Sequence, residues 1–126
     1  GGELSRLLLA IKKVISENLS QRTIVFDEID SGIGGRTADL IGEYISDIAD
    51  NHQVICITHL PQIASFADKH FQISKRNADN YTELEVHNLD IESRSVEIAR
   101  MLSGSTSNTA LQHAEELLKK NNQNKR

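Results

Sequence analysis

Residues 23–35 read Thr-Ile-Val-Phe-Asp-Glu-Ile-Asp-Ser-Gly-Ile-Gly-Gly and set the architecture of this 126-residue chain. The first four residues are β-prone, and three of them are apolar, as in a buried strand. This run ends abruptly in two adjacent acids, Asp27 and Glu28, and a glycine-rich loop at 32–35 follows within a few residues. We therefore predict a buried strand whose carboxyl end carries acids and leads into a loop.

Regular patterns continue on both sides of this strand. Before it, apolar residues recur at helical spacing over 3–18. After it the sequence predicts a helix from about Arg36 to Asp50, a buried-type strand at 53–57 and a helix from Pro61 to Ala67. Strands at 70–75 and 81–87, joined by a turn at 76–80, should follow, and then helices around 96–102 and 110–118. This order implies an α/β unit with parallel central strands flanked by helices, followed by a C-terminal hairpin and helices. Residues 121–126 are polar, and we expect a disordered tail there.

Composition places the chain among ordinary globular proteins. Hydrophobic residues make up 38% and charged residues 25%, and the few aromatic residues leave a core built mainly from Ile, Leu, Val and Ala. The net charge of −4 gives no basic footprint for DNA, so any DNA contact should lie mostly outside this chain. Cys56 is the sole cysteine, which favours core packing and a reducing compartment. We expect a soluble cytoplasmic protein with no membrane partner.

Both predicted central strands end in side chains that can do chemistry. The first ends in Asp27 and Glu28, and the second ends in Thr58 and His59. Ligands of α/β sheets bind beyond the carboxyl ends of the strands, where one carboxylate can help hold Mg²⁺ and its neighbour can orient a water for attack on a phosphoryl group. His59 could donate a hydrogen bond to a phosphate oxygen. The plainer interpretation is that the acids cap a strand in solvent and the histidine lies half-exposed in a loop.

Two glycine segments flank the first strand. Gly1, Gly2 and Glu3 open a predicted helix, whose free backbone N–H groups and positive dipole end suit an anion. The second segment, the loop at 32–35, follows the acids directly. Glycine is also common at helix starts and in turns, so neither segment defines a ligand by itself.

The order and spacing of these motifs resemble the second half of an ABC-type ATPase head. The series is Gly-Gly-Glu-Leu-Ser-Arg at 1–6, a helix, a strand ending Asp-Glu, a glycine loop, a helix, and a strand ending Thr-His. The resemblance assigns Gly1, Gly2 and Glu3 to the end of the signature motif, Asp27 to the magnesium-site acid of Walker B, Glu28 to the catalytic glutamate, Ser31, Gly32 and Gly34 to the D-loop, and His59 to the switch histidine.

Finer detail resembles the RecN family of bacterial DNA-repair ATPases, within the ABC/SMC superfamily. The segments that carry this likeness are residues 27–35 and Thr-His-Leu-Pro-Gln-Ile-Ala at 58–64, and the likeness extends over nearly the whole chain. Gly34 stands where general ABC heads have an aspartate, which fits this family but weakens any transfer of D-loop roles from transporters. The resemblance implies a head built from both ends of a protein, joined through a coiled coil, that acts in recombinational repair of DNA double-strand breaks.

The same resemblance implies cofactors and partners. ATP and Mg²⁺ would lie between two heads of a homodimer, with Glu28 orienting the attacking water, Asp27 supporting Mg²⁺ and His59 sensing the γ-phosphate. DNA would be a partner of the full-length protein, which would be nucleoid-associated.

We expect residues 1–120 to be the C-terminal part of such a head and a segment of something longer. The chain contains no Gly-x-x-x-x-Gly-Lys-Ser/Thr loop for nucleotide phosphates, so it should be inactive without the N-terminal half of its own head. Separation from that half would expose apolar surface, so the isolated chain should self-associate or dissolve poorly.

Three other interpretations stay open on the sequence alone. One is a head segment of another SMC-like or ABC-type ATPase. Another is a non-catalytic module for dimerisation or DNA docking, which the presence of both Glu28 and His59 disfavours. The third is a metal-dependent hydrolase using Asp27, Asp30 and His59, whose spacing fits no usual ligand set.

Overall fold

A computed structural model describes residues 3, 9–10, 13–14, 20–78 and 81–123 of the chain. The elements in chain order are β1 (Thr23–Phe26), α1 (Gly35–Ala49), β2 (Gln53–Cys56), α2 (Pro61–Ala64), β3 (Phe71–Ala78), β4 (Tyr81–Asn88), α3 (Ile91–Ser103) and α4 (Asn108–Gln123). The described members of the predicted helix at 3–18 are helical, and its other residues lie outside the described ones. None of the helices in this described part is long and apolar enough to cross a bilayer.

The first half is a parallel β–α–β unit. Strands β1 and β2 pair in parallel register from Thr23 opposite Gln53 to Phe26 opposite Cys56. Helix α1 connects them and buries its apolar stripe against one face of the strand pair. The core of this half consists of Leu9, Phe26, Ile29, Ala38, Ile41, Ile45, Ile48 and Ile63. The predicted parallel strands with a helical connection are therefore confirmed.

The prediction that the two strands are buried holds for only one face of the pair in the described residues. Side chains alternate across a strand, so Ile24, Phe26, Val54 and Cys56 face the core beneath α1. The alternate residues lie on the opposite face, where Val25 is 51% exposed, Ile55 48% and Ile57 51%. Because the described helices of this half cover only one face, the apolar composition of the strands overstated their burial.

The second half combines an antiparallel hairpin with two packed helices. Strands β3 and β4 pair from Phe71 opposite Asn88 to Ala78 opposite Tyr81, so β3 continues through residues 76–78, which had been predicted as part of the turn. Helix α3 stops at Gly104, whose φ of 70° gives the left-handed C-cap that glycine favours. A second core joins α2, α3 and α4 and is built from the buried residues Ala64, Ile98, Ala99, Ala110 and Ala114.

Helix α2 ends at Ala64, three residues before the predicted end at Ala67. The Arg94 guanidinium donates through Nη2 to the carbonyl oxygens of Ala64 and Ser65, at 3.3 and 2.9 Å. The Ser65 hydroxyl turns back to the Gln62 carbonyl at 2.7 Å. These bonds satisfy carbonyl groups at the helix end and fix its termination.

Helix α4 extends beyond its predicted end and corrects the boundary of the polar tail. Residues 121–123 are helical, and Asn121 is 1% exposed with its Nδ2 donating to Ser65 Oγ at 2.6 Å. A buried partner from a segment 56 residues earlier, which local polarity does not reveal, keeps these residues ordered. Residues 124–126 lie outside the described part of the chain.

Candidate functional site

The carboxyl ends of β1 and β2 lie together at one edge of the parallel sheet. The strands are in register up to Phe26 and Cys56, and the Ile57 N–H continues the ladder to the Phe26 carbonyl at 2.9 Å. Asp27 therefore follows one strand directly beside the residues that follow the other. Asp27, Glu28 and His59 are all exposed at this edge, which is where α/β sheets bind ligands.

Glu28 has a backbone conformation that is uncommon for its residue type. Its φ is 56°, in the left-handed region, and it is the one non-glycine residue with positive φ in the described part of the chain. The conformation turns the chain away from β1 at once, and the following loop is closed by the Ser31 N–H near the Glu28 carbonyl, at 3.5 Å. Left-handed backbone costs an L-residue roughly 1–2 kcal/mol, and such strain clusters at functional positions.

Asp30 is the polar centre of this edge. Its carboxylate is buried, and its Oδ2 lies 2.5 Å from Thr58 Oγ1, 2.8 Å from the His59 backbone nitrogen and 3.0 Å from His59 Nδ1. Burial alone would raise the pKa of Asp30, but the hydrogen bonds from Thr58 and His59 and the nearby His59 ring together lower it. Asp30 is therefore a carboxylate at neutral pH, and it ties the loop after β1 to the loop after β2.

The loop after β2 presents His59 to solvent while holding its backbone. The His59 side chain is 74% exposed, although its Nδ1 contacts the buried Asp30. Thr58 Oγ1 also accepts from the Leu60 N–H at 3.0 Å. Leu60 has extended backbone, as expected before a proline, and Pro61 then occupies the first turn of α2. The loop is thus fixed on both sides of an exposed imidazole.

The pKa of the Cys56 thiol reflects its burial and the charges at this edge. Burial, together with the nearby carboxylates of Asp30 and Asp27, raises the pKa of Cys56 to about 12. The thiol is therefore protonated at neutral pH and packs against the first core, in line with the packing role predicted for it. Because both carboxylates affect the Cys56 thiol, they lie near the end of β2.

The glycine-rich loop is open on its outer side. Gly32 and Gly35 have φ of 69° and 54°, in the left-handed region that favours glycine. Gly34 has extended backbone and caps α1 without a side-chain hydrogen bond. A Cβ added at Gly34 would meet no atom within 4 Å, so neither its conformation nor its packing explains a glycine there. Ser31 is exposed in the same loop.

The remaining site predictions fall at the start of the chain. Gly1 and Gly2 lie outside the described residues, and Glu3 is helical and exposed.

The metal-hydrolase alternative finds no support in the described residues. They contain no group of three or more His, Cys, Asp or Glu side chains that could hold a metal ion. Moreover, Asp30 Oδ2 is already engaged by Thr58 and His59.

Sequence reasoning missed the connecting role of Asp30, which it considered only as a possible metal ligand. The available signal was the combination of an Asp three residues after Asp27 with Thr-His after the second strand. Parallel strands bring these segments to one edge, so a short acidic side chain in the first loop can accept from the second.

Comparisons with known proteins give a consistent family. The chain is 46% identical over 120 residues to DNA repair protein RecN of Treponema pallidum, a match that covers 94% of this chain and 21% of that protein. RecN of Deinococcus radiodurans is 48% identical over 118 residues, with coverage of 94% and 21%. RecN of Bacillus subtilis is 44% identical over 124 residues, with coverage of 98% and 22%. The chain thus spans about a fifth of the length of the curated relatives it matches. No protein-family model matches it.

Proposed function

This chain belongs to the RecN family, as a segment about a fifth as long as its relatives, and on that premise we propose that it forms part of an ATP-hydrolysing head in a DNA repair protein. The name of these relatives, DNA repair protein RecN, supports the role in DNA repair. The ATPase role rests on the chemistry of the sheet edge. In this proposal the site that binds nucleotide is completed by other parts of the full-length protein.

One observation supports this function best: the edge of the parallel sheet combines exposed carboxylates with an exposed, anchored imidazole. Asp27 and Glu28 leave β1 at this edge, and His59 leaves β2 beside them. Hydrolysis of a phosphoanhydride needs an oriented water and donors for the charge on the transferred group. A carboxylate and an imidazole at one strand edge can supply these two functions.

The roles of the individual residues follow from their chemistry. Glu28 accepts a hydrogen bond from the attacking water and orients it, and the turned backbone at φ 56° sets the direction of its side chain. His59 donates a hydrogen bond to an oxygen of the terminal phosphate. Asp27 fits Mg²⁺, which takes one or two protein carboxylates with water and phosphate oxygens completing the shell. When bound, Mg²⁺ would neutralise charge on the phosphates.

Three partners complete the proposal. The N-terminal half of the same head would supply the phosphate-binding loop, which this sequence lacks. A second head in a homodimer would bring the signature residues Gly1, Gly2 and Glu3 to the opposite nucleotide, together with the D-loop residues Ser31, Gly32 and Gly34. DNA would bind the full-length protein, mostly outside this acidic segment.

The proposal is tested by Mg²⁺-dependent ATP hydrolysis in the full-length protein that contains this segment. Glu28→Gln and His59→Ala should each lower kcat by about 10²–10⁴-fold, the range for loss of a general acid or base. Nucleotide-dependent pairing of heads should survive in Glu28→Gln, because the substitution keeps the shape of the side chain and removes its basicity.

Matched controls use the same substitutions away from the edge. Glu43→Gln on α1 and His113→Ala on α4 both alter exposed residues and should leave kcat unchanged. A full-length protein that neither binds nor hydrolyses ATP would instead favour the non-catalytic dimerisation or DNA-docking module.

A further inference from the structure

Asp30 makes more contacts than are needed to hold the loop after β2 in place. Three groups from Thr58 and His59 converge on one oxygen, Oδ2: a hydroxyl at 2.5 Å, a backbone N–H at 2.8 Å and the ring nitrogen Nδ1 at 3.0 Å. The hydroxyl and the backbone N–H are sufficient to fix the course of the loop. The third contact acts on the imidazole itself.

The contact at Nδ1 determines which ring nitrogen faces outward. Asp30 is 4% exposed and ionised, so its oxygen can only accept a hydrogen bond. His59 Nδ1 must therefore carry the proton, and this proton is held by the buried carboxylate. Nε2 is then the nitrogen left for other partners, on a side chain that is 74% exposed. The hydrogen bond at one nitrogen of a histidine defines the role of the other.

A second histidine–carboxylate pair, on the hairpin, provides a comparison for the Asp30–His59 contact. His87 Nε2 lies 3.3 Å from Glu85 Oε2 on the hairpin, two residues apart on one strand. Both side chains are substantially exposed, at 52% and 38%, and the pair links no separate elements. The Asp30–His59 pair is instead shorter, joins two loops and has a buried acceptor.

We propose that Asp30 is a positioning residue for the hydrolytic reaction: it holds His59 through Nδ1–H, so that Nε2 faces the terminal phosphate of the nucleotide and donates to it when this nitrogen is also protonated. This inference rests on the proposed function, since it assigns His59 Nε2 a phosphate to contact. Asp30 itself touches neither nucleotide nor the attacking water. Its effect on catalysis passes entirely through the orientation and tautomer of His59.

The first test measures the tautomer and does not depend on ATP hydrolysis. Long-range ¹H–¹⁵N NMR of the full-length protein with ¹⁵N-labelled histidine, at about pH 8 and thus above the ordinary histidine pKa of about 6.5, distinguishes Nδ1–H from Nε2–H imidazoles. We expect His59 as the Nδ1–H form in the wild type and a mixture of forms in Asp30→Ala. Glu85→Ala is the control and should leave the His59 signals unchanged. An Nε2–H tautomer at His59 in the wild type would overturn the proposal, whatever the variants do.

The second test is a double-mutant cycle in the full-length protein. Asp30→Ala should lower kcat by about 10- to 100-fold, as expected when the carboxylate partner of a functional histidine is lost, while KM for ATP changes by less than about threefold. Asp30→Ala combined with His59→Ala should be no slower than His59→Ala alone, because Asp30 acts through His59. If the double variant is instead slower by the product of the two single losses in kcat, Asp30 does not act through His59, and the proposal fails.

Thr58→Val separates bracing of the loop from orientation of the ring. It removes the hydroxyl donor to Asp30 and keeps both contacts of His59. We expect it to preserve the His59 tautomer and to keep kcat within about threefold of the wild type. A loss as large as that of Asp30→Ala would assign the effect to loop geometry and refute the positioning role. If His59→Ala leaves kcat unchanged, the proposed function fails, and Asp30 then has no catalytic role. The NMR result would still show whether Asp30 holds the His59 ring.

Discussion

The two halves of the chain bury carboxylates for different purposes. In the parallel half, Asp30 accepts hydrogen bonds from the loop that carries the exposed His59. In the C-terminal half, Glu97 is 7% exposed and accepts from Gln72 of β3 at 2.7 Å and from the guanidinium of Arg100 on its own helix. Asp30 supports a side chain at an open edge, whereas Glu97 ties packed elements together. A buried charge therefore indicates a site by its place in the fold, here the carboxyl edge of a parallel sheet, since Glu97 too has an exposed partner in Arg100, at 57%.

Among substitutions that test this difference between the two halves, the largest loss of stability is expected at Arg94, which connects α3 to the end of α2. Arg94→Met should destabilise the chain by about 1.5–3 kcal/mol, because the Ala64 and Ser65 carbonyls lose a charged donor. Urea denaturation followed by circular dichroism measures the change. Arg76→Met, at a side chain 73% exposed on the hairpin, is the control and should change stability by less than about 0.5 kcal/mol. Equal losses in both variants would mean that the C-terminal network does not tie the elements together.

A smaller effect is expected where α1 meets the segment after α2. Gly42 is buried on α1, and a Cβ there would overlap the ring of Phe66. Gly42→Ala should therefore destabilise the fold by about 1–2 kcal/mol, since the cost of overpacking exceeds the gain of up to about 1 kcal/mol in helix propensity. Gly34→Ala meets no atom within 4 Å and serves as the control in thermal unfolding. A more stable Gly42→Ala variant would show that Phe66 can move freely and that the contact between the two halves is loose.

The smallest effect concerns the pH dependence of the C-terminal half. The pKa of His70 is lowered by burial and then by the charge of Arg94, against an opposing effect of Glu97. Because the folded pKa lies below the unfolded value of about 6.5, the unfolded chain binds more protons, and stability is lost as pH falls from 6.5 through the folded pKa. The slope cannot exceed about 1.4 kcal/mol per pH unit for one group.

Denaturation at a series of pH values between about 7.5 and 5 would measure this dependence, and His70→Gln should flatten it. Asp30 and Glu97 do not interfere in this window, because the folded pKa of each is lowered: that of Asp30 by hydrogen bonds that outweigh its burial, and that of Glu97 chiefly by Arg100. An unchanged slope in His70→Gln would show that His70 is not the source of the pH dependence.

Local pattern predicted most of the fold. The spacing of apolar residues predicted the parallel pair with its helical connection, the hairpin, and a helix around 96–102, because each depends on residues close in sequence. Three features escaped prediction because they depend on distant partners. Helix α2 ends where Arg94 binds its carbonyls, α4 continues to Gln123 because Asn121 reaches Ser65, and one face of β1–β2 is exposed.

The candidate site was predictable in position but not in its internal contacts. Acids and a histidine at the ends of two adjacent parallel strands had to meet at one edge, so the residue types alone located Asp27, Glu28 and His59. The link through Asp30 could not be read in the same way. An Asp in a turn usually accepts from its own loop, and only the three-dimensional distance shows that its partners are Thr58 and His59.

The backbone of Glu28 places activity and stability in opposition at a single residue. At φ 56°, a glycine would occupy this position without the steric penalty of a Cβ, so Glu28→Gly should fold with equal or greater stability, by up to about 1 kcal/mol. That same variant would have no carboxylate to orient a water. Selection for stability alone would thus favour glycine at this position, and the catalytic role proposed for Glu28 supplies a reason for the strained glutamate.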